Sequence, residues 1–300
     1  MTLERRVRRR AVIWVAVLTV FVLLLLLANR FTEGERFYDI ASFAVVAIAL
    51  VGLLGLYRAT AGEGIWRVRT RHIAVMAGGA TAYAAVAYAF NELIPVSIGP
   101  ISVQPQVCIP VLLGYAFTPT VGFFTGAVGS LMGDFLSGWG VFPAWHIGSG
   151  LTGLVPGLVA LVSYERQNLR YLSALVIALM GVTAAIIFVH PRAPEPWTGQ
   201  VQSFLFWGWI LMVGSLIMVA NSFLLERLSL ALAGLNLWGA LGIIVGNGFT
   251  SLAHIWINEY GLATAVIGEF APSVGEDLLN LVIFTPLLLA GYSAVRSRGR

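Results

Sequence analysis

The chain is predicted to be an all-α polytopic membrane helix bundle of about ten spans, and three features predict it. Hydrophobic residues fill 58% of its 300 positions and charged residues only 11%, with a mean hydropathy of +0.86, whereas a soluble chain carries roughly a quarter of its residues charged. Apolar runs approaching the ~20 residues that cross a bilayer recur from end to end. The arginines, finally, sort by alternate loops, as cytoplasmic loops require.

The spans are taken in chain order. The run AVIWVAVLTVFVLLLLLAN (11–29) follows MTLERRVRRR. Its apolar core is longer than that of a signal peptide, and Ala28-Asn29-Arg30-Phe31 offers no small-x-small cleavage site, so a retained helix with a cytoplasmic amino end is expected. A second apolar run covers 39–57 and stops at Arg58. A small-residue run covers 72–90, and a short one at 104–117 is ended by Thr118-Pro119. Runs at 119–137 and 143–163 are rich in glycine, and Pro156 is expected to kink the latter. The last four lie at 171–190, 204–225, 232–256 and 277–295.

With the amino end inside, fifteen arginines fall on the cytoplasmic side: Arg5, Arg6, Arg8, Arg9, Arg10, Arg58, Arg67, Arg69, Arg71, Arg166, Arg170, Arg227, Arg296, Arg298 and Arg300. Only Arg30, Arg36 and Arg192 fall outside. This places both termini in the cytoplasm of a multi-pass cell-membrane protein. The acidic residues fall the other way, with Glu33, Glu35, Asp39, Glu92, Asp134, Glu195, Glu259, Glu269, Glu276 and Asp277 on outer loops or outer helix ends. Acidic groups contribute little to orientation, so this bias speaks to what the outer face does. The net charge of +4 is a topology signal and implies no nucleic acid.

Missing residues exclude several chemistries. All 18 Lys+Arg residues are arginine, which removes a lysine Schiff base and a G-x-x-x-x-G-K-[ST] phosphate loop. Cys108 is alone, and His72, His146, His190 and His254 lack metal-ligand spacing, so no metal and no cofactor is expected. Intramembrane proteolysis by an aspartate pair fails because Leu131 stands where glycine is needed before Asp134, and Asp39 begins its helix at the outer surface. Gly148-Ser149-Gly150 is too small a fragment for a serine protease site. No enzyme is expected.

The stretch IPVLLGYAFTPTVGFFTGAVGSLMGDFLSG (109–138) carries one charge, Asp134, with two prolines and six glycines. At 100° per residue Gly122, Gly126, Gly129 and Gly133 share a stripe roughly 40° wide, a flat seam for a neighbouring helix. Asp134 lies about 100° off that seam, and a carboxylate in a span points by default into a bundle or wet cavity; snorkelling to the surface is the alternative. Gly150, Gly153 and Gly157 repeat the seam. In RHIAVMAGGATAYAAVAYAF, Ala77, Ala80, Ala84 and Ala87 form one smooth face and Ala74, Gly78, Ala82, Ala85 and Ala89 another.

Residues 71–163 resemble the substrate-binding S components of energy-coupling factor (ECF) vitamin transporters. The resemblance rests on order: Ala80-x-x-x-Ala84 on a small-residue helix near Arg71, the loop NELIPVSIGPISVQ, the short helix IPVLLGYAF, a proline elbow, the ladder VGFFTGAVGSLMGD and a further glycine-rich helix. It implies a six-helix core with extra helices: 1–70 as a two-helix extension and 71–300 as the S-component-like domain. It also implies capture of a small water-soluble, vitamin-like compound from outside, with energy from a transmembrane coupling subunit and two cytoplasmic ATPases. Ala80 and Ala84 inherit the coupling-subunit contact.

Positions matching the family's ligand region are Asn91, Glu92, Gln104, Gln106, Asp134, Trp139, Trp145 and His146, followed by Asn247, His254, Asn258, Asp277 and Asn280. Aromatic rings there can stack on a flat ligand while amides and carboxylates orient it; Trp139 and Trp256 are also the residues a membrane interface recruits as anchors. Two other readings stay open. One is a membrane sensor or scaffold, for which a cytoplasmic output domain is expected, while the tail reaches RSRGR within five residues of the last span. The other is a self-sufficient secondary transporter, for which no second broken helix matches the one at Thr118-Pro119.

Overall fold

The computed structural model describes residues 19–20, 22–24, 27, 31, 40–162, 166–227 and 229–298, with backbone only at 285 and 287–298. The first expected span, 11–29, lies largely outside these residues. The described chain is helical nearly throughout: α1 (Ile40–Thr60), α2 (Thr70–Tyr88), α3 (Cys108–Ala116), α4 (Pro119–Leu136), α5 (Pro143–Gly157), α6 (Arg166–Val189), α7 (Leu205–Glu226), α8 (Leu230–Ile257) and α9 (Ala271–Arg298). With their flanking turns, α1, α2, α5, α6, α7 and α8 are long and apolar enough to cross a membrane. The chain is an all-α polytopic membrane protein. The short run expected at 104–117 is, with its flanking 3₁₀ turn, the apolar helix Pro105–Ala116, whose rise of about 18 Å falls well short of a bilayer core.

The elbow follows from local chemistry. Thr118 is extended, with φ −158° and ψ 158°, and its Oγ1 accepts a hydrogen bond from the Val121 N–H at 3.2 Å, capping α4. Pro119 occupies the first helical position, where no N–H is needed. The chain therefore reverses between α3 and α4, and Gly114 and Gly122 come to face the same carbonyl, that of Gly153 on α5.

The glycine seam serves two neighbours in succession. Gly122 and Gly126 meet the backbone of Gly153 and Ser149 on α5, while Gly129 and Gly133 meet Tyr83, Ala84 and Ala87 on α2. On the other side of α5, Gly148 approaches Gly246 and Thr250 of α8, and Gly246 approaches Gly148 and Thr152 in return. Helices in lipid gain nothing hydrophobic from associating, so these backbone approaches supply dispersion contact instead. α5 is thus gripped between α4 and α8. It gives way just after Pro156 to a 3₁₀ turn at Leu158–Leu161.

Two large apolar clusters and one small one result among the described residues. One joins α3 and α6 to α9 through fully buried Val111, Val176, Met180, Leu211, Met218, Leu235 and Leu281. The other joins α1, α2, α4 and α5 around Trp66, Phe123 and Ile147. α1 is seated on α5 and α8, where Val45 packs with Ala144 and Ala253. Between α7 and α8, Asn236 donates to Ser222 Oγ at 2.7 Å and to the Met218 carbonyl at 3.1 Å, the interhelical polar contact expected in a bundle.

On one smooth face of α2 Ala77 is exposed while Ala80, Ala84 and Ala87 turn inward, so the coupling-subunit contact expected of Ala80 and Ala84 falls on residues inside the chain. Both are buried inside the chain, at 2% and 1% exposure, Ala84 against Gly133 of α4. Ala74, Gly78, Ala82 and Ala85 are exposed, and nothing lies within 4 Å of a methyl group added at Gly78.

At the end of the bundle away from the elbow the helices change character. α2 runs into a π-helical turn at Ala89–Leu93, and a second, Thr264–Phe270, leads into α9. Two antiparallel hairpins lie there: β1 (Ser97–Ile98) with β2 (Ile101–Ser102), and β3 (Arg192–Pro194) with β4 (Val201–Ser203). Gly99, at φ 64°, makes the two-residue turn of the first hairpin possible.

Candidate functional site

A cavity of about 790 Å³ opens among these elements, within the range of roughly 300–1,000 Å³ usual for small-molecule sites. α2 and its π turn contribute Tyr83, Ala87 and Asn91, and the loop before α3 contributes Gln104 and Gln106. α4 supplies Ser130 and Asp134, and the stretch into α5 supplies Trp139, Phe142, Trp145, Ser149 and Thr152. Across from them stand Glu195, Trp197 and Gln202 of the second hairpin, Trp207 of α7, and Asn247 and Thr250 of α8. Glu269, Ser273, Glu276 and Asp277, on the π turn and first turns of α9, close the ring.

The polar walls are braced. Asn247 Nδ2 donates to Asp277 Oδ2 at 2.8 Å, joining α8 to α9. The Ser102 N–H donates to Glu276 Oε1, and the Gln104 N–H donates to Asn280 Oδ1 at 2.8 Å. Asn280 in turn donates to the Ser102 carbonyl at 3.1 Å, so α9 holds the first hairpin over the cavity. The second hairpin is held through Tyr260, whose hydroxyl donates to the Pro196 carbonyl at 3.1 Å. Its Glu195 accepts from the Trp197 and Thr198 N–H groups and from the Thr198 hydroxyl. Desolvation pushes that carboxyl up, but these three hydrogen bonds outweigh it and hold Glu195 below its ordinary value.

Of the residues singled out from the sequence, Asn91, Gln104, Gln106, Asp134, Trp139, Trp145, Asn247 and Asp277 line this one cavity. The others do not. Glu92 and Asn258 are exposed. His146 is fully buried behind the wall, 3.1 Å from Ser130 Oγ and 3.7 Å from Asp134 Oδ2, and accepts the Phe142 N–H at Nε2. His254 sits behind Glu269, with Nδ1 2.6 Å from Oε1, between the edges of Trp145 and Tyr260. Asn280 braces the hairpin. Among the described residues no group of three or more His, Cys, Asp or Glu side chains can hold a metal ion.

Sequence reasoning missed Tyr83, Ser130 and Ser149, which sit inside segments read for their small-residue faces, and the whole contribution of the second hairpin. Glu195, Glu269 and Glu276 were legible only as part of the acidic bias of one side.

Residues 67–191 match the family described as ECF-type riboflavin transporter, S component. A UPF0397 protein of Vibrio atlanticus is 35% identical over 65 residues, which are 22% of this chain and 36% of that protein. UPF0397 proteins of Aliivibrio fischeri and Aliivibrio salmonicida are each 32% identical over 65 residues with the same coverage. The chain thus spans about a third of the length of these curated relatives. No solved structure matches it. The matched family is one of transporter components, not enzymes, and its stretch includes the elbow, the glycine seam and the near wall of the cavity. Over residues 67–191 the chain is therefore similar to the S components of ECF transporters, the family its ordered motifs resemble.

Proposed function

We propose that the chain is the substrate-binding membrane subunit of an ATP-driven ECF-type importer, which captures a small water-soluble compound from outside the cell. The observation that carries this reading is the cavity: eight residues marked from the sequence converge on one braced pocket of ligand size, at the end of the bundle opposite the arginine-bearing elbow. Arg67, Arg69 and Arg71 line a separate cleft beside Phe117 and Thr118; by the arginine rule this supports reading the elbow side as cytoplasmic and the cavity side as external. On this reading residues 71–300 are the S-component-like receptor and 1–70 its N-terminal extension.

Energy comes from other polypeptides, since a chain without lysine has no P-loop lysine. The transmembrane coupling subunit docks on Ala74, Gly78, Ala82 and Ala85, the exposed smooth face of α2, and two cytoplasmic ATPases act through it. The solute is vitamin-like; riboflavin, which the matched family's description names, is the first compound to try.

The test is direct. The full chain, purified in mild detergent from cells grown in rich medium, is denatured, and the small molecules released are identified by mass spectrometry and titrated back. A stoichiometric, saturable ligand is expected, and Asp277→Asn or Asn247→Leu should release it. A folded chain that carries nothing and binds none of the compounds in its growth medium would overturn the reading.

A further inference from the structure

The charge of the cavity is one-sided. Among the described residues five carboxylates line it, those of Asp134, Glu195, Glu269, Glu276 and Asp277, and no described arginine or histidine does; the chain has no lysine at all. The partners of these carboxylates are mostly neutral. Asp277 accepts from an amide, Glu276 from a backbone N–H, and Glu195 from backbone and hydroxyl groups. His146 does not neutralise Asp134, because its Nε2 accepts the Phe142 N–H and so carries no proton. His254 pairs with one oxygen of Glu269 only.

Two buried acceptors are left over. Glu269 Oε2 and Gln106 Oε1 have no hydrogen-bond partner among the described residues, although their side chains are 5% and 3% exposed and line the cavity. Both lack a donor. A buried acceptor with nothing to accept costs roughly 1–3 kcal/mol, more when charged, and buried charge calls for a counter-charge. A bare metal ion does not supply it, since the described carboxylates nowhere converge as ligands do. A donor carried by a solute that spans the cavity would meet these acceptors among the rings of Tyr83, Trp139, Trp145 and Trp207, whose faces attract cations.

We infer that the solute is a small organic cation, a compact or flat apolar body bearing a protonated amine or a quaternary ring nitrogen. Its charged end lies toward Glu269 and Asp277 and its body lies among the tryptophans. The inference rests on the receptor reading and adds the chemical class of what is received.

The experiment is a binding series at three charges on the full chain in detergent, by thermal shift and calorimetry. Thiamine and 1-methylnicotinamide are the cations, riboflavin and nicotinamide the neutral compounds, and biotin and nicotinate the anions. The nicotinamide trio holds the ring nearly constant while the charge changes. The cation of each set should bind tightest, by about tenfold or more over its neutral counterpart, the worth of a charge-assisted contact. Glu269→Gln and Asp277→Asn, which keep shape, should each erase most of that preference. Tightest binding by riboflavin, or by an anion, would overturn the cation inference and leave the receptor reading standing. Binding by none of the six to a folded chain would count against both.

Discussion

Replacing Gly122 by alanine probes the contact on which the elbow depends. A Cβ built there lies 2.0 Å from the Gly153 carbonyl oxygen, 2.5 Å from its carbon and 2.7 Å from the Gly114 Cα. All three are backbone atoms, so no side chain can rotate away. To reach even the near limit of ordinary contact, 3.4 Å, the helices must part by about 1.4 Å. Overpacking of this kind costs roughly 1–3 kcal/mol, and here it loosens the α4–α5 contact and the turn of α3 together. Gly181, in the middle of α6, is the control, because nothing lies within 4 Å of its added Cβ; alanine there should stabilise the helix by roughly 0.5–1 kcal/mol. Thermal unfolding in detergent, followed by tryptophan fluorescence, should lower the midpoint for Gly122→Ala and hold or raise it for Gly181→Ala. Equal midpoints for the two variants would refute the close-packing argument.

Three further outcomes are expected. Gly78→Leu or Ala82→Leu should weaken co-purification with the coupling subunit and leave ligand affinity unchanged, whereas Ala80→Leu, which overfills a buried site, should lower the unfolding midpoint. Asn280→Ala removes two of the three bonds by which α9 holds the first hairpin, from the Gln104 N–H and to the Ser102 carbonyl, together worth roughly 1–3 kcal/mol, and should speed ligand release. Glu195 is held below its ordinary value in the folded hairpin, so the order it contributes is present above pH 4.5 and lost as pH falls through the lower folded value; the protection of the Trp197 and Thr198 amides, relative to their intrinsic exchange rates, should fall on acidification, and Glu195→Gln should abolish that dependence.

How far the sequence reached can be argued from single residues. The elbow was legible because Thr-Pro is a cap followed by a first helical position, a purely local fact. The glycine seam was legible as a stripe, yet its division between α5 and α2 was not, because periodicity fixes a face without naming the neighbour. The same limit explains Ala80 and Ala84: both smooth faces of α2 could be drawn on a wheel, and only the bundle decides which faces inward. In the site, Asn91 and Trp145 were separable from Glu92 and His146 only by helix phase, and the π turn at Ala89–Leu93 alters that phase. Glu269 sits on the second π turn and escaped for the same reason. The hairpin with Glu195 and Trp197 approaches the cavity through a contact between Tyr260 and Pro196, 64 residues apart, which no local pattern encodes.

The most direct measurement is uptake by the purified chain in proteoliposomes, with and without a coupling subunit and its ATPases, using the compound that the chain itself retains. Binding without accumulation by the chain alone, and accumulation only when the partners and ATP are added, is the predicted result. Accumulation by the chain alone would contradict it.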